Sequence, residues 1–418
     1  MTNEVCVNAH EEVLNRDEPF RPAWRAVSSL TMGVFGLLTA EYLPASLLTP
    51  MAQDFQVSES LTGQAVTITA LIALFAGLMV PRLTRALNRR TLLLSFTVLM
   101  IVSNVLVALS TGIVMLLAMR VLLGIALGGF WSMAAAVAMR LVPEKLVPRA
   151  LSIIFSGIAL GTVVAVPLGS YIGGLFGWRS AFFVAAGVGA ITLIFQWFTL
   201  PGMTPVDRGK TASVYSLLQR PGVGVGMLGC VLAHTGQYAL FTYIRPALET
   251  LAHVGSETLA LILLGFGLAN FFGTLAAGWL MERSLRLTLI VMPTLVGAAA
   301  LAMLTLPVSL TGLTLLVMLW GFAFGGVPVA WSSWVARALP DEAESAGGMV
   351  VAAVQSSIAI GAAIGGLVYG LSGITGVFVI AGCIMLAAAM IIAYRVRVSP
   401  VVKDTGSRSA STASPGQG

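Results

Sequence analysis

Apolar runs of about twenty residues, separated by short polar stretches, recur along the whole chain. A run of that length crosses the hydrocarbon core of a bilayer as a helix. The runs predict helices over 26–49, 62–82, 91–110, 112–140, 149–175 and 180–200. After a polar stretch from Pro201 to Pro221, more follow over 223–248, 257–281, 286–307, 311–338, 344–370 and 374–394. This pattern is that of an all-α membrane protein with twelve transmembrane helices. The polar pieces divide it into a tail (1–24), a six-helix bundle (25–200), a linker (201–222), a second six-helix bundle (223–396) and a tail (397–418). The end of the last tail, rich in Ser, Gly and Pro, has the composition of a disordered segment. The first apolar run lies too late and runs too long for a cleaved signal peptide.

The two sets of six are related. Gly124, Ala126, Gly128, Gly129, Arg140 and Pro143 return 197 positions later as Gly321, Ala323, Gly325, Gly326, Arg337 and Pro340. Leu83 and Arg89 return at the same offset as Leu280 and Arg286. A single period near half the chain length describes two similar halves. Small residues one turn apart let helix backbones approach closely in a membrane. Such residues also recur every fourth position in the fifth run (Gly157, Gly161, Ala165, Gly169, Gly173) and the eleventh (Ala353, Ser357, Gly361, Gly365). These stripes serve either sliding contacts between the halves or static close packing. Pro167 either kinks the fifth helix or is tolerated by its neighbours.

Composition sharpens the picture. Of 418 residues, 57% are hydrophobic and 10% charged, which excludes an ordinary soluble protein. A net charge of +6 would suggest nucleic acid as a partner of a soluble domain, but its distribution points elsewhere. With the N-terminus inside, 20 of the 23 Lys and Arg residues fall on the inner side, Arg179 and Arg245 fall outside, and Arg120 falls within a span. Basic loops face the cytoplasm, so both termini are expected there and no nucleic acid is expected. Cys6, Cys230 and Cys383 are too dispersed for a metal site or a disulfide framework, and no cofactor is expected. The chain lacks the Gly-x4-Gly-Lys-Ser/Thr loop of nucleotide-driven pumps. It also lacks the paired carboxylates or nucleophile-and-base sets of an enzyme.

Six spans, a basic linker and six more, in parallel repeat, resemble the major facilitator superfamily. Pro81, Leu83, Thr84, Asn88, Arg89 and Arg90 are similar to its loop between the second and third helices, with Arg85 where the family has an acid. Gly278, Leu280, Glu282, Arg283 and Arg286 repeat that loop in the second half. Arg120, Gly124 and Gly128 resemble its fourth-helix motif, associated with proton coupling; Gly161, Pro167 and Gly169 resemble its fifth-helix antiporter signature. Within that superfamily the chain resembles bacterial exporters of purine ribonucleosides in the drug:proton antiporter group. Glu41, Leu43–Pro44 and Ser46–Asp54, Leu127–Trp131, Arg140–Pro143, Leu217–Val223 and Phe241–Pro246 carry that resemblance. It implies proton-coupled efflux of inosine, guanosine and related analogues across the bacterial inner membrane, by a protein functional as a monomer.

Proton coupling needs a titratable group within the membrane. At 1.5 Å per residue, Glu41 lies about 24 Å along its helix from Arg25, and Arg120 about 11 Å from the outer start of its own. Both therefore fall in the outer half of the core. Glu41 is the expected proton carrier and Arg120 the group that tunes it or competes with the proton; a fixed ion pair is the alternative. One proton crossing 100 mV supplies about 2.3 kcal/mol, enough for a roughly fortyfold gradient of a neutral solute. A purine nucleoside calls for an aromatic face with amides or hydroxyls in an apolar cavity. The candidates are Gln64, Asn104, Trp131, Gln237, Tyr238, Phe241 and Gln355, with Thr67, His234, Asn270 and Trp331 as further polar or aromatic positions inside spans. The alternative for each is a helix-to-helix bond. Arg89, Arg90, Glu282, Arg283 and Arg286, with the fifth-helix Gly161, Pro167 and Gly169, are the expected gating residues by the same resemblance. A drug or sugar exporter of the same fold, or a passive facilitator, remains open at this level.

Overall fold

The computed structural model describes residues 22–84, 87–143, 146–204, 214–305, 309–339 and 343–395. The predicted tails lie outside them except for residues 22–24, as does the middle of the linker, 205–213. The side chains of Pro81, Arg82 and Glu282 also lie outside the described part of the structure.

The first half consists of α1 (Trp24–Ser46), α2 (Leu48–Phe55), α3 (Glu59–Leu83), α4 (Arg89–Ala108) and α5 (Ile113–Leu141). It continues through α6 (Val147–Leu160), a π-helical turn (Gly161–Ala165), α7 (Val166–Phe176) and α8 (Trp178–Thr199). The second comprises α9 (Val214–Leu218), α10 (Val223–Thr242), α11 (Ile244–Ala252), α12 (Ser256–Thr305), α13 (Leu310–Ala338) and α14 (Ala343–Arg395). Side-chain caps fix several starts: Ser58 and Ser309 accept from the third amide beyond them, and Asn88 from that of Arg90. Helix α12 reverses at Ser284, where the backbone is extended. Helix α14 reverses at Gly373, whose φ of 63° suits glycine. Among the described residues, eleven segments are long and apolar enough to cross a membrane. The last, Ala346–Arg395, has 50 residues and folds back at Gly373 into two crossings, giving twelve.

Two predicted helices are interrupted. The run over 26–49 breaks at Leu47 and that over 223–248 at Tyr243, each leading into a short helix, α2 or α11, at equivalent places of the repeat. Apolar content continues across both breaks, so hydropathy does not register them. The linker also holds more structure than its polarity suggests. Met203 exchanges hydrogen bonds with Asn88 and Arg89 of the first half, and Leu217 of α9 is buried in the second half's core.

The repeat in sequence is a repeat in contacts. A Cβ added to Gly124 would meet Thr69 O, and one added to Gly321 would meet Phe266 O; Gly128 abuts Ala73 O and Gly77 N, and Gly325 abuts Asn270 O and Thr274 N. Every one of these pairs is related by the offset of 197. Helix α5 thus seats on α3 as α13 seats on the first part of α12, backbone to backbone. The glycine stripes behave alike. Gly157, Gly161, Gly169 and Gly173 face α1 through Thr31, Leu38, Leu43 and Leu47, while Gly361 and Gly365 face α10 through Thr235 and Ala239. Of the two readings open for these stripes, the glycines show close packing within each half, while the same helices meet the other half on another side, Gly267 lying against Thr162 and Val163 and Gly366 against Gln64 and Ser60.

Because backbone atoms cannot swing aside, Gly128→Leu and Gly325→Leu should each cost upward of about 3 kcal/mol. The detergent-solubilised variants should lose their monodisperse peak in size-exclusion chromatography. Gly278→Ala, whose Cβ meets nothing within 4 Å, should leave peak and melting temperature unchanged.

Candidate substrate and proton site

Arg120 is fully buried on α5. Its Nε donates to Thr69 Oγ1 at 2.9 Å and Ala65 O at 3.4 Å, and its terminal nitrogens donate to Ala40 O at 2.8 Å and Glu41 O at 3.5 Å. The Ala40 carbonyl is available for a local reason. Four residues on stands Pro44, which has no N–H to close the helical bond. The proline in α1 therefore leaves an acceptor that the guanidinium of α5 takes up.

Glu41 is buried beside this arrangement, and the charge of Arg120 acts on its carboxyl. The two side chains form no ion pair, however; among the described residues the ion pairs are Arg179–Asp54 and Arg245–Glu249. Glu41 Oε1 has no hydrogen-bond partner. A buried carboxylate oxygen without a donor is costly unless a proton or a cation cancels its charge. The carboxyl is thus free to take a proton while the guanidinium stays anchored to backbone.

Next to Glu41, Tyr42 crosses to the other half. Its ring stands edge-on to Phe241 of α10 at 5.4 Å and packs against the cluster that holds Tyr238 of the same helix. Phe324 of α13 stands edge-on to Tyr238 at 6.3 Å and to His234 at 6.0 Å. Val66 and Ala70 of α3 pack with Tyr238 and with Ile358, Ala359 and Ala362 of α14. On the helices that meet here, Glu41 Oε1, Thr67 Oγ1, His234 Nε2, Thr235 Oγ1 and Gln355 Nε2 are buried without a partner. Buried polar atoms normally have one. Unpaired donors and acceptors on the helices that carry these aromatic rings are the groups a polar, flat ligand would use.

The other predicted positions are differently placed. Gln237 accepts from Trp320 Nε1 at 2.7 Å, Asn270 donates to Gly321 O at 3.2 Å, and Trp331 stacks edge-on against Trp334, all within the second half. Trp131 packs on Phe130 and Phe155, and Asn104 is wholly enclosed on α4 with both amide atoms unpartnered. Gln64 lies beside Gly366, where the halves touch.

One end of the molecule, poor in basic residues, ties the halves together. Arg245 of α11 donates to Ser46 O at 2.7 Å and reaches Ser170 Oγ at 3.5 Å, while holding Glu249 of its own helix at 2.8 Å. Ser60 donates to Gly366 O at 2.6 Å, and the Tyr369 hydroxyl donates to Glu59. A vestibule of about 500 Å³ opens over this seal, lined by Gln53, Glu59, Arg245, Glu249, Thr250 and Tyr369 among others. At the opposite, basic end the expected gating residues engage their own halves. Arg89 reaches Thr84 O, Arg90 donates to Trp197 O, Arg286 donates to Ala393 O, and Arg283 lies over the Trp279 ring at 3.7 Å. Sequence reasoning overlooked Tyr42, Glu59, Arg245 and Tyr369. For Arg245 a signal existed, since it is one of two basic residues on the side that the charge distribution otherwise leaves bare.

Two repeated six-crossing bundles, sealed against each other at one end around an interior of unpaired polar atoms, define a membrane transporter. The Major Facilitator Superfamily matches residues 30–343 and 226–415, and the chain belongs to that family. It is 41% identical over 390 residues to the "Purine ribonucleoside efflux pump NepI" of Salmonella enteritidis PT4 (strain P125109), spanning 93% of this chain and 98% of that one. The protein of the same name from Salmonella gallinarum (strain 287/91 / NCTC 13346) gives the same figures. Among solved structures, a bacterial homologue of the human lysosomal transporter Spinster, inward-facing and unoccupied, superimposes with a TM-score of 0.66. It covers 90% of this chain and 95% of its own at 14% identity, a likeness of fold alone.

If the halves must part at the seal during the cycle, cross-linking it should arrest transport. In a background without native cysteines, Ser60→Cys with Gly366→Cys should oxidise to a disulfide. Substrate movement should stop, and dithiothreitol should restore it, as read by gel mobility and vesicle flux.

Proposed function

We propose that the chain is a secondary antiporter that exports purine ribonucleosides such as inosine and guanosine in exchange for protons across the bacterial inner membrane, working as a monomer. The observation that carries the substrate is the likeness to purine ribonucleoside efflux pumps along 93% of the chain. The placement of Lys and Arg supports both termini in the cytoplasm, so the basic end faces inward and the sealed end outward. On that reading residues 25–200 and 223–396 are the two moving bundles, 201–222 is the linker, and 1–24 and 397–418 are cytoplasmic tails.

Alternating access follows. With the outer end sealed by Arg245, Ser60 and Tyr369, the interior loads a nucleoside from the cytoplasm. Glu41 releases its proton inward, and its charge is then balanced by nearby Arg120. Rocking breaks the outer contacts and closes the basic end, where Arg89, Arg90, Glu282, Arg283 and Arg286 form the latch, while Gly161, Pro167 and Gly169 let the fifth span bend. Protonation of Glu41 from outside accompanies nucleoside release and permits the return. Tyr238, Phe241, Gln355 and Gln64 contact the cargo; Asn104, Trp131 and Gln237 act through the packing around it.

Labelled inosine should accumulate in inverted vesicles when the lumen is made acid relative to the bath, and equilibrate without that gradient. Glu41→Gln, isosteric and permanently neutral, should abolish gradient-driven accumulation while leaving exchange of inosine and thermal stability near wild type. Undiminished accumulation in this variant would rule out Glu41 as the carrier.

A further inference from the structure

His234 is buried on α10, 2% exposed, one turn from Tyr238. Its Nδ1 lies 2.9 Å from the carbonyl of Cys230. A carbonyl can only accept, so Nδ1 carries the ring hydrogen, and in the neutral ring Nε2 is a bare acceptor. That nitrogen is buried without a partner. Leaving it so is costly, and no helix-to-helix bond explains it. Phe324, part-exposed, packs edge-on against His234 and Tyr238 alike, and Tyr238 packs with Val66 and Ala70 of the other half, beside Tyr42. The unpaired acceptor therefore belongs to a ring that shares Phe324 with Tyr238, the residue that packs against the other half.

We propose that His234 Nε2 reads the ring N–H of the cargo, so that the transporter selects 6-oxopurine ribonucleosides over 6-aminopurine ones. In inosine and guanosine, N1 carries a hydrogen next to the O6 carbonyl; in adenosine, N1 is itself an acceptor. Facing Nε2, the first satisfies a buried acceptor and the second leaves two acceptors opposed, a discrimination of about 10- to 100-fold. Gln355, with a buried and unpaired amide nitrogen on the neighbouring helix, supplies a donor suited to O6. A swing of the Phe324 ring admits the base.

The inference rests on the nucleoside reading above, and the test separates the two. Wild-type protein in inverted vesicles is given labelled inosine with unlabelled inosine, 1-methylinosine or adenosine as competitor. 1-Methylinosine lacks the N1 hydrogen but keeps O6; adenosine lacks the hydrogen without added bulk. Inosine should compete at least about tenfold better than either. Failure of wild type to move inosine at all overturns the nucleoside reading. Inosine transport with equal competition by all three leaves that reading intact and overturns the role of His234. In His234→Phe the preference should collapse to within about twofold while 1-methylinosine is still carried. A variant that keeps the wild-type preference overturns the proposal, and should the variant not fold, the wild-type competition decides alone.

Discussion

A guanidinium sealed in the middle of a membrane protein must find acceptors for its donors within the protein, and Arg120 obtains them mainly from backbone. It binds carbonyls of α1 and α3 and one hydroxyl of α3, so three helices of the first half are fixed around a single cation. That constraint orders much else. It places Glu41 against a positive charge that is already satisfied, leaves the carboxyl without a permanent partner, and brings Tyr42 to the surface where the second half begins. A buried charge of this kind adds little to stability, because desolvation offsets its attraction; its value is that it holds a geometry.

Much of the architecture was legible in the sequence because its causes are themselves sequence patterns. Apolar runs of bilayer length gave the spans, and Gly124, Gly128, Gly321 and Gly325 announced where backbones touch. The breaks at Leu47 and Tyr243 were not legible, since the first residues past each bend, Leu48 and Ile244, are as apolar as those before it and the polar ones come only further on. The stripe of the fifth span left sliding contact and close packing equally open, because a stripe does not say which neighbour it faces. Only the structure shows Gly161 against Leu38.

The candidate site was legible in part. Glu41 and Arg120 stood out because charge is scarce in a span, and Tyr238 and Phe241 because they lie in a stretch that resembles the exporters. The partners of Arg120 were not visible, because a carbonyl freed by Pro44 leaves no mark beyond the proline itself. Gln237 and Asn270 look from sequence like cavity residues and prove to be bonded to Trp320 and Gly321. Polarity within a span signals that a partner exists; whether it is another helix or a passing solute depends on rotation about the helix axis, which one sequence does not encode.

The seal near Ser46 has an unusual electrostatic character. Arg245 brings its counter-ion with it, since Glu249 lies on the same helix, and what it grasps on the opposite half is a peptide oxygen and a hydroxyl. Parting the halves there exchanges neutral acceptors for water, and the opposite charge Arg245 leaves on the other half, Glu59, acts on it only through space. The barrier to opening is therefore set mainly by solvation of hydrogen bonds, with a smaller Coulomb share that salt in the adjoining medium screens.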